Sequence, residues 1–419
     1  MIRRYLQDEI LESLKHFPVV LLTGARQVGK STLAQELIDK HWKARYLTLD
    51  DRAVLDAALR DPDGLVSGTP PPVVFDEVQR APDLMRAIKR AVDRRRDPGR
   101  YLLTGSANIQ TLSSAAESLA GRVAVHTLYP FSWPEILGRP KPAIFSAMFE
   151  AKNASELLTR FPRSSVSDRT GAIIQRIEKG GYPIPALMTS ASARSRWFSS
   201  YRQTYLERDV LNIKFIENLP DFNRLLTLAA SRTGRLLNLS DLSRETGLPF
   251  TTLRRHMNLL SVTYQIFLLN PYFSNIGKRL VKTPKLYFSD TGMASHLIAV
   301  DDWSNLEQRG QIGHFVETWA AVELNKLISV TDERIKLYFW RTQTGQEVDF
   351  LLERAGKLIG IEVKWASRID SATLNNLERC AEVLRSKHHL SIILYRGTEI
   401  VSFSPKIVAL PFSLFFGID

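Results

Sequence analysis

Short apolar runs, each ending in small or polar residues, recur through the first third of the chain. Pro18–Thr23 stops at a glycine, and Arg45–Leu49, Val73–Phe75, Tyr101–Thr104 and Val123–Thr127 follow, with helical patterns between them. A run that is apolar at every position reads as a strand buried on both faces. Strands alternating with helices predict an α/β fold with a parallel sheet covered on both sides. Ahead of the first strand, Tyr5, Ile10, Leu14 and Phe17 fall near one face of an amphipathic helix.

From about residue 150 to 235 the pattern is helical, with a loop at Pro162–Asp168 and a turn at Gly180–Pro183 (GGYP). Over 192–213, Trp197, Tyr201, Tyr205, Leu206 and Val210 recur at helical spacing. Residues 222–300 read as helix, helix, turn, helix and two strands, Ile266–Pro271 and Lys285–Ser289. One helix over 305–330 leads to strands Ile335–Trp340, Glu347–Glu353 and Leu358–Val363. A helix near 371–386 and a strand at Leu390–Tyr395 complete the pattern. The expected divisions are 1–160, 161–221 (a helical lid or connector), 222–304 and 305–419.

A length of 419 residues calls for two to four domains. Composition, 44% hydrophobic and 24% charged, is that of a globular protein. No stretch approaches the roughly 20 apolar residues that span a bilayer, so no membrane is expected as a partner. The basic start is followed by no apolar core of a secretory signal. Cys380 is the only cysteine, which excludes an intramolecular disulfide and a cysteine-based zinc site and makes the cytoplasm the expected compartment. The net charge of +12 favours an anionic partner, nucleic acid being the first polymer to consider. Charge alone is equally compatible with a basic protein kept soluble by it.

Gly24-Ala25-Arg26-Gln27-Val28-Gly29-Lys30-Ser31, followed by Thr32, fits G-x-x-x-x-G-K-[ST] between an expected strand and helix. Glycines let backbone N–H groups turn inward around phosphate oxygens, and the helix aims its positive end at the same charge. Lys30 is expected to reach the β- and γ-phosphates of ATP, and Ser31 to bind Mg²⁺. Val73–Phe75 ends in Asp76 and Glu77. Asp76 is the expected Mg²⁺ partner and Glu77 the residue that orients and polarises the attacking water. Ser106 and Asn108, after the Tyr101–Thr104 strand, are candidates for sensing the γ-phosphate, and an ordinary strand-to-loop turn explains either one equally well. Arg122 is a candidate for neutralising transition-state charge, in cis or from a neighbouring copy in a homo-oligomer, with a solvated arginine as the alternative.

These segments, with LLTGSAN at 102–108, AGR at 120–122, GGYP and TYLERDV at 204–210, resemble a prokaryotic family of AAA+-type P-loop ATPases. In that family an ATPase core is joined to a C-terminal region of unknown function. The resemblance extends over nearly the whole chain and rests on the order and spacing of the motifs.

In the middle, Leu239-x-x-Leu242 with Gly247-Leu248 has the spacing of a helix-turn-helix. Ser240 is placed to start the first helix and Thr251 or Thr252 the second. Thr252, Arg254, Arg255 and Asn258 would face outward on the second helix, and Lys278, Arg279 and Lys282 lie between two strands that would form a wing. These residue types contact phosphates and base edges, DNA above all. The alternative is a packing or subunit-contact module.

Beyond residue 305, Glu317 on a helix, Asp349, and Glu362-Val-Lys364 on neighbouring strands look like the PD-(D/E)XK restriction-endonuclease-like fold. Asp349 and Glu362 at one sheet edge would share Mg²⁺ or Mn²⁺, Glu317 would complete the site, and Lys364, facing the same side, would position a water or offset charge on the phosphorane in metal-dependent cleavage of nucleic acid. Val348 stands where the motif has proline. The alternative is a tail that keeps the fold and binds nucleic acid or a protein without cutting.

Overall fold

β1 (Val19–Thr23), β2 (Arg45–Thr48), β3 (Val73–Asp76), β4 (Tyr101–Thr104) and β5 (Val123–Thr127) form one sheet in the order β2-β3-β4-β1-β5. Every pair in it is parallel. The computed structural model describes residues 2–106, 121–161, 166–206, 219–273, 283–300, 302–331 and 334–418. It divides into two units: Met1–Phe131 with Asn258–Gln265, and Ser132–Met257 with Ile266–Asp419.

In the first unit the central strands are apolar on both faces because helices cover them. β1, β3 and β4 are buried at every position. α1 (Leu6–His16), α2 (Lys30–Lys40), α3 (Arg52–Arg60), α4 (Pro62–Ser67) and α5 (Pro82–Arg94) supply the cover. α5 turns Leu84, Met85, Ile88 and Val92 onto Val73, Phe75, Tyr101 and Leu103. α1 buries Leu6, Ile10 and Leu14, while Phe17, expected on the same face, is 38% exposed. Phe17 lies past the last helical turn, in extended backbone, so helical spacing no longer directs it.

The second unit starts at Ser132, earlier than the expected boundary at 160. Trp133 packs edge-to-face on Trp319 at 5.9 Å, and its backbone N–H donates to Glu323 at 2.8 Å. Further on, α6 (Leu219–Ser231), β6 (Arg235–Leu236), α7 (Leu239–Thr246), α8 (Phe250–Val262), β7 (Ile266–Leu269) and β8 (Lys285–Phe288) follow in chain order, and the three strands form an antiparallel sheet ordered β6-β8-β7. Asn238, not Ser240, caps α7, accepting from the N–H groups of Ser240 and Asp241. Gly247 ends it in the left-handed region at φ 72°, where a side chain is strained.

The single helix expected over 305–330 is two, Trp303–Gln308 and α9 (Ile312–Ser329), separated at Gly310 with φ 62°. α9 is buried on nearly all sides, which suits its continuous apolar sequence. The last sheet runs β13-β14-β12-β11-β10-β9, built from β9 (Lys336–Arg341), β10 (Glu347–Arg354), β11 (Lys357–Lys364), β12 (His388–Tyr395), β13 (Val401–Ser404) and β14 (Ile407–Pro411). β13 and β14 lie beyond the expected last strand. β14 pairs parallel with β12, and β13 closes the edge as a hairpin. α10 (Ser371–Leu384) lays Leu377, Cys380 and Leu384 against Val348, Leu351, Leu358 and Ile393. Among the described residues no helix is long and apolar enough to cross a membrane.

Candidate nucleotide-binding site

The loop between β1 and α2 owes its shape to two glycines. Gly24 has φ 141°, and a Cβ there would lie 2.3 Å from the Leu128 carbonyl oxygen, so no side chain fits. Gly29 caps α2 at φ 95° with open space around it; there the backbone conformation, not crowding, calls for glycine. Between them Ala25 and Val28 are buried, Arg26 is half-buried and Gln27 is exposed in the left-handed region at φ 64°. Lys30 is buried, and its ammonium donates to the carbonyls of Gly24 (3.0 Å) and Ala25 (2.8 Å). Thr32, one turn into α2, is exposed. Arg4, which the sequence pattern did not single out, braces this loop by donating to Val28 O (3.1 Å) and Tyr129 O (2.6 Å).

At the tip of β3, Asp76 is buried and surrounded by hydroxyls. Ser31 Oγ donates to both its oxygens at 3.0 and 2.9 Å, Tyr46 donates at 2.8 Å, and Thr104 also donates. Burial and the Asp76 carboxylate push the Tyr46 phenol well above its usual range, so it stays a neutral donor. Tyr46 and Thr104 sit on β2 and β4, the strands flanking β3, and only the sheet order reveals them. The next residue, Glu77, is held in the left-handed region at φ 60°, a conformation that costs a non-glycine residue about 1 kcal/mol. Its N–H donates to Thr104 Oγ1 at 3.2 Å, and its carboxylate accepts from Gln79, whose amide also reaches Ser106 Oγ at 3.1 Å. Ser106 is therefore linked to Glu77 through Gln79. Asn108 lies outside the described residues.

The expected cis role of Arg122 is overturned. Val19 and Val123 are paired, and the N–H of Val19 donates to the Arg122 carbonyl, so Arg122 is at the start of β1 while the loop follows its end. A five-residue strand separates the two ends, about 13 Å at the usual rise. Its guanidinium pairs with Asp93 at 2.6 Å.

In the middle region, Leu242 and Leu248 are buried and Leu239 is half-buried. Arg254, Arg255 and Asn258 are all exposed on α8, with Arg254 over the Phe250 ring at 5.9 Å. Thr252 is half-buried. Lys278, Arg279 and Lys282 lie outside the described residues.

The C-terminal set comes together, with an addition. Asp349 on β10 accepts from the Val363 N–H at 2.9 Å, and its own N–H lies 3.4 Å from Glu362. Lys364 pairs with Glu362 at 2.8 Å. Glu317 on α9 accepts from Tyr287 at 2.5 Å and pairs at 2.7 Å with Lys285, a residue the motif does not contain. Lys285 also contacts Glu347 and approaches Asp349 to 3.8 Å. Burial, reinforced by the Asp349 charge, pushes Glu317 up to about 7 and Glu362 up to about 8. Burial alone would lower the Lys285 pKa, and the three carboxylates around it more than reverse that. Among the described residues no three histidine, cysteine or carboxylate side chains converge as a ligand set. The cluster thus differs from the open metal site expected of Glu317, Asp349 and Glu362, because their oxygens already serve two ammonium groups.

Residues 16–137 match the family described as an AAA domain. Residues 170–304 match a domain of unknown function (DUF8612), and residues 312–415 another (DUF4143). Over 410 residues the chain is 32% identical to the uncharacterized protein Rv2008c of Mycobacterium tuberculosis, covering 98% of this chain and 83% of that one. The uncharacterized protein Mb2031c of Mycobacterium bovis gives the same identity, 32%, over the same shares. Among solved structures, the Walker-type ATPase PABY2304 of Pyrococcus abyssi is similar with a TM-score of 0.44 and 15% identity, over 71% of this chain and 96% of that one.

Proposed function

The chain belongs to the family of these two mycobacterial proteins, and on that premise we propose that it is an AAA-type ATPase that hydrolyses Mg-ATP and couples this to nucleic-acid binding. The observation that carries the first half is the Ser31–Asp76 pair, set at the mouth of a glycine-shaped loop and backed by neutral hydroxyls. These residues fit Mg-ATP: among the described residues the partners of the Asp76 carboxylate are hydroxyls and not cations, and glycines at both ends of the loop let its backbone N–H groups turn toward phosphate. When bound, Mg-ATP supplies the scissile phosphoryl group and the ion that offsets its charge. Lys30 would leave the Gly24 and Ala25 carbonyls for the β/γ-phosphates. Ser31 and Asp76 would hold the ion. Glu77, fixed in a strained conformation and steadied by Gln79, would orient water and accept its proton at the carboxylate. The test is nucleotide binding by Lys30→Ala, which should be lost while the fold persists.

The second half rests on the net charge of +12 and the exposed Arg254, Arg255 and Asn258 on α8. The helix order and the three-stranded sheet support a winged-helix reading. Duplex DNA is the favoured polymer. Binding should fall steeply with salt. An absence of binding at about 50 mM salt to any DNA or RNA would remove this half. The tail enters the proposal as a nuclease-like binding module without cleavage, the reading favoured by the engagement of its carboxylates with Lys285 and Lys364.

A further inference from the structure

Lys285 belongs to a small strand outside the C-terminal sheet, yet its side chain, 3% exposed, ends inside the carboxylate cluster of that sheet. Its ammonium meets Glu317 from α9 at 2.7 Å, contacts Glu347, and lies 3.8 Å from Asp349 on β10. The Phe339 ring lies 5.6 Å from the ammonium. Tyr287, two residues along the same strand and therefore on the same face, donates to the same oxygen of Glu317. The remaining charges are arranged to match: Arg341 pairs with Glu347 at 2.6 Å and Lys364 with Glu362 at 2.8 Å.

A fold of this kind is expected to take a divalent ion between such carboxylates, and the residues here do not fit one. Mg²⁺ and Mn²⁺ need several oxygens at about 2.0–2.3 Å, with lone pairs free to point inward. Here a lysine, which carries three donors and no acceptor, stands among those oxygens, and Asp349 spends its other oxygen on the Val363 N–H. A buried ammonium with three carboxylates around it is held by a strong field, because its release would strand their charges away from water.

We infer that the Lys285 ammonium is the resident cation of this cluster, standing among Glu317, Glu347 and Asp349 in place of a divalent metal. The unmodified protein then takes neither Mg²⁺ nor Mn²⁺ there, and removing the ammonium turns the same carboxylates into a divalent-cation site. The carboxylates left without Lys285 repel one another, and an ion of two charges relieves that repulsion better than water does.

The test is Mn²⁺ binding to the full-length, nucleotide-free protein, read as the loss of the free-ion electron paramagnetic resonance signal. Asp76→Asn is present throughout, so that the nucleotide site adds nothing. Lys285→Met should bind one further equivalent of Mn²⁺ than its parent, and adding Asp349→Asn should remove that equivalent. A Lys285→Met variant that folds and gains no Mn²⁺ overturns the inference. The parent protein supplies an independent arm if Lys285→Met does not fold. With Lys285 in place, Asp349→Asn should leave Mn²⁺ binding unchanged, and an equivalent lost with Asp349 would show that the ammonium does not exclude metal.

Discussion

Two sites in this chain hold buried carboxylates, Asp76 at the tip of β3 and the set on α9, β10 and β11, and they treat the charge in opposite ways. Asp76 is held by hydroxyls of Ser31, Tyr46 and Thr104, which orient it without neutralising it. Glu317, Asp349 and Glu362 are met by Lys285 and Lys364, which neutralise them with fixed protein charge. A carboxylate kept by neutral donors remains a site for an outside cation, and one that already has an ammonium does not. Sequence motifs report the acids in both cases. Part of what decides the chemistry, the partners Tyr46, Thr104 and Lys285, comes from residues distant in the chain.

The largest break of this contrast is at the nucleotide site. Lys30→Ala removes the charge on the β/γ-phosphates and should lower ATP turnover by about 10²-fold or more, with Mg-ATP binding lost in calorimetry. Turnover at the unmodified rate would separate this loop from catalysis.

Next in size is the removal of a partner from the C-terminal cluster. Glu317→Gln leaves Lys285 short of a buried counter-charge and should cost about 3 kcal/mol in denaturant unfolding. Lys285→Met/Glu317→Gln removes both members of the pair and should recover much of that loss. If the double variant is no better than the single one, the pair is not the unit that matters.

Arg254→Ala/Arg255→Ala should weaken DNA binding and lower the slope of log K against log salt by about 0.9 for each phosphate that the pair no longer neutralises. An unchanged slope would place the nucleic-acid surface elsewhere.

The smallest expected effect is on pH. Glu317 and Glu362 are pushed up to about 7 and about 8 by burial, so the folded protein holds protons that the unfolded chain releases. A raised folded value gives stability that is full below about 4.5, the unfolded carboxyl range, and is lost as pH rises toward 8. The melting temperature should fall between pH 6 and 8.5, and Glu362→Gln should flatten that slope.

The nucleotide site was legible because its chemistry is local. A phosphate loop needs glycine at fixed positions, and Gly24 and Gly29 have the backbone angles that explain them. Strands β1, β3 and β4 were legible because burial on both faces leaves uninterrupted apolar runs, whereas the edge strands β2 and β5 are only partly buried and were read from their alternation with helices. The cis role expected of Arg122 does not hold because spacing along the chain does not say at which end of a sheet a residue lies. Arg4 and Tyr46 were missed because their roles come from tertiary contacts to Val28 and Asp76. Lys285 was overlooked for the same reason: in sequence it is one more basic residue after Lys278, Arg279 and Lys282, and only packing brings it to Glu317. The edge strands β13 and β14 were missed because short runs around Pro405 and Lys406 resemble a trailing loop.

The central claim is that this chain hydrolyses ATP with Glu77 acting on water. Steady-state phosphate release with Mg-ATP, measured for the unmodified protein and for Glu77→Gln beside nucleotide binding by each, tests it most directly. The account predicts hydrolysis by the unmodified protein, and a Glu77→Gln variant that binds ATP with similar affinity but releases phosphate about 10²-fold more slowly. Equal rates for the two, or no hydrolysis by either, would contradict it.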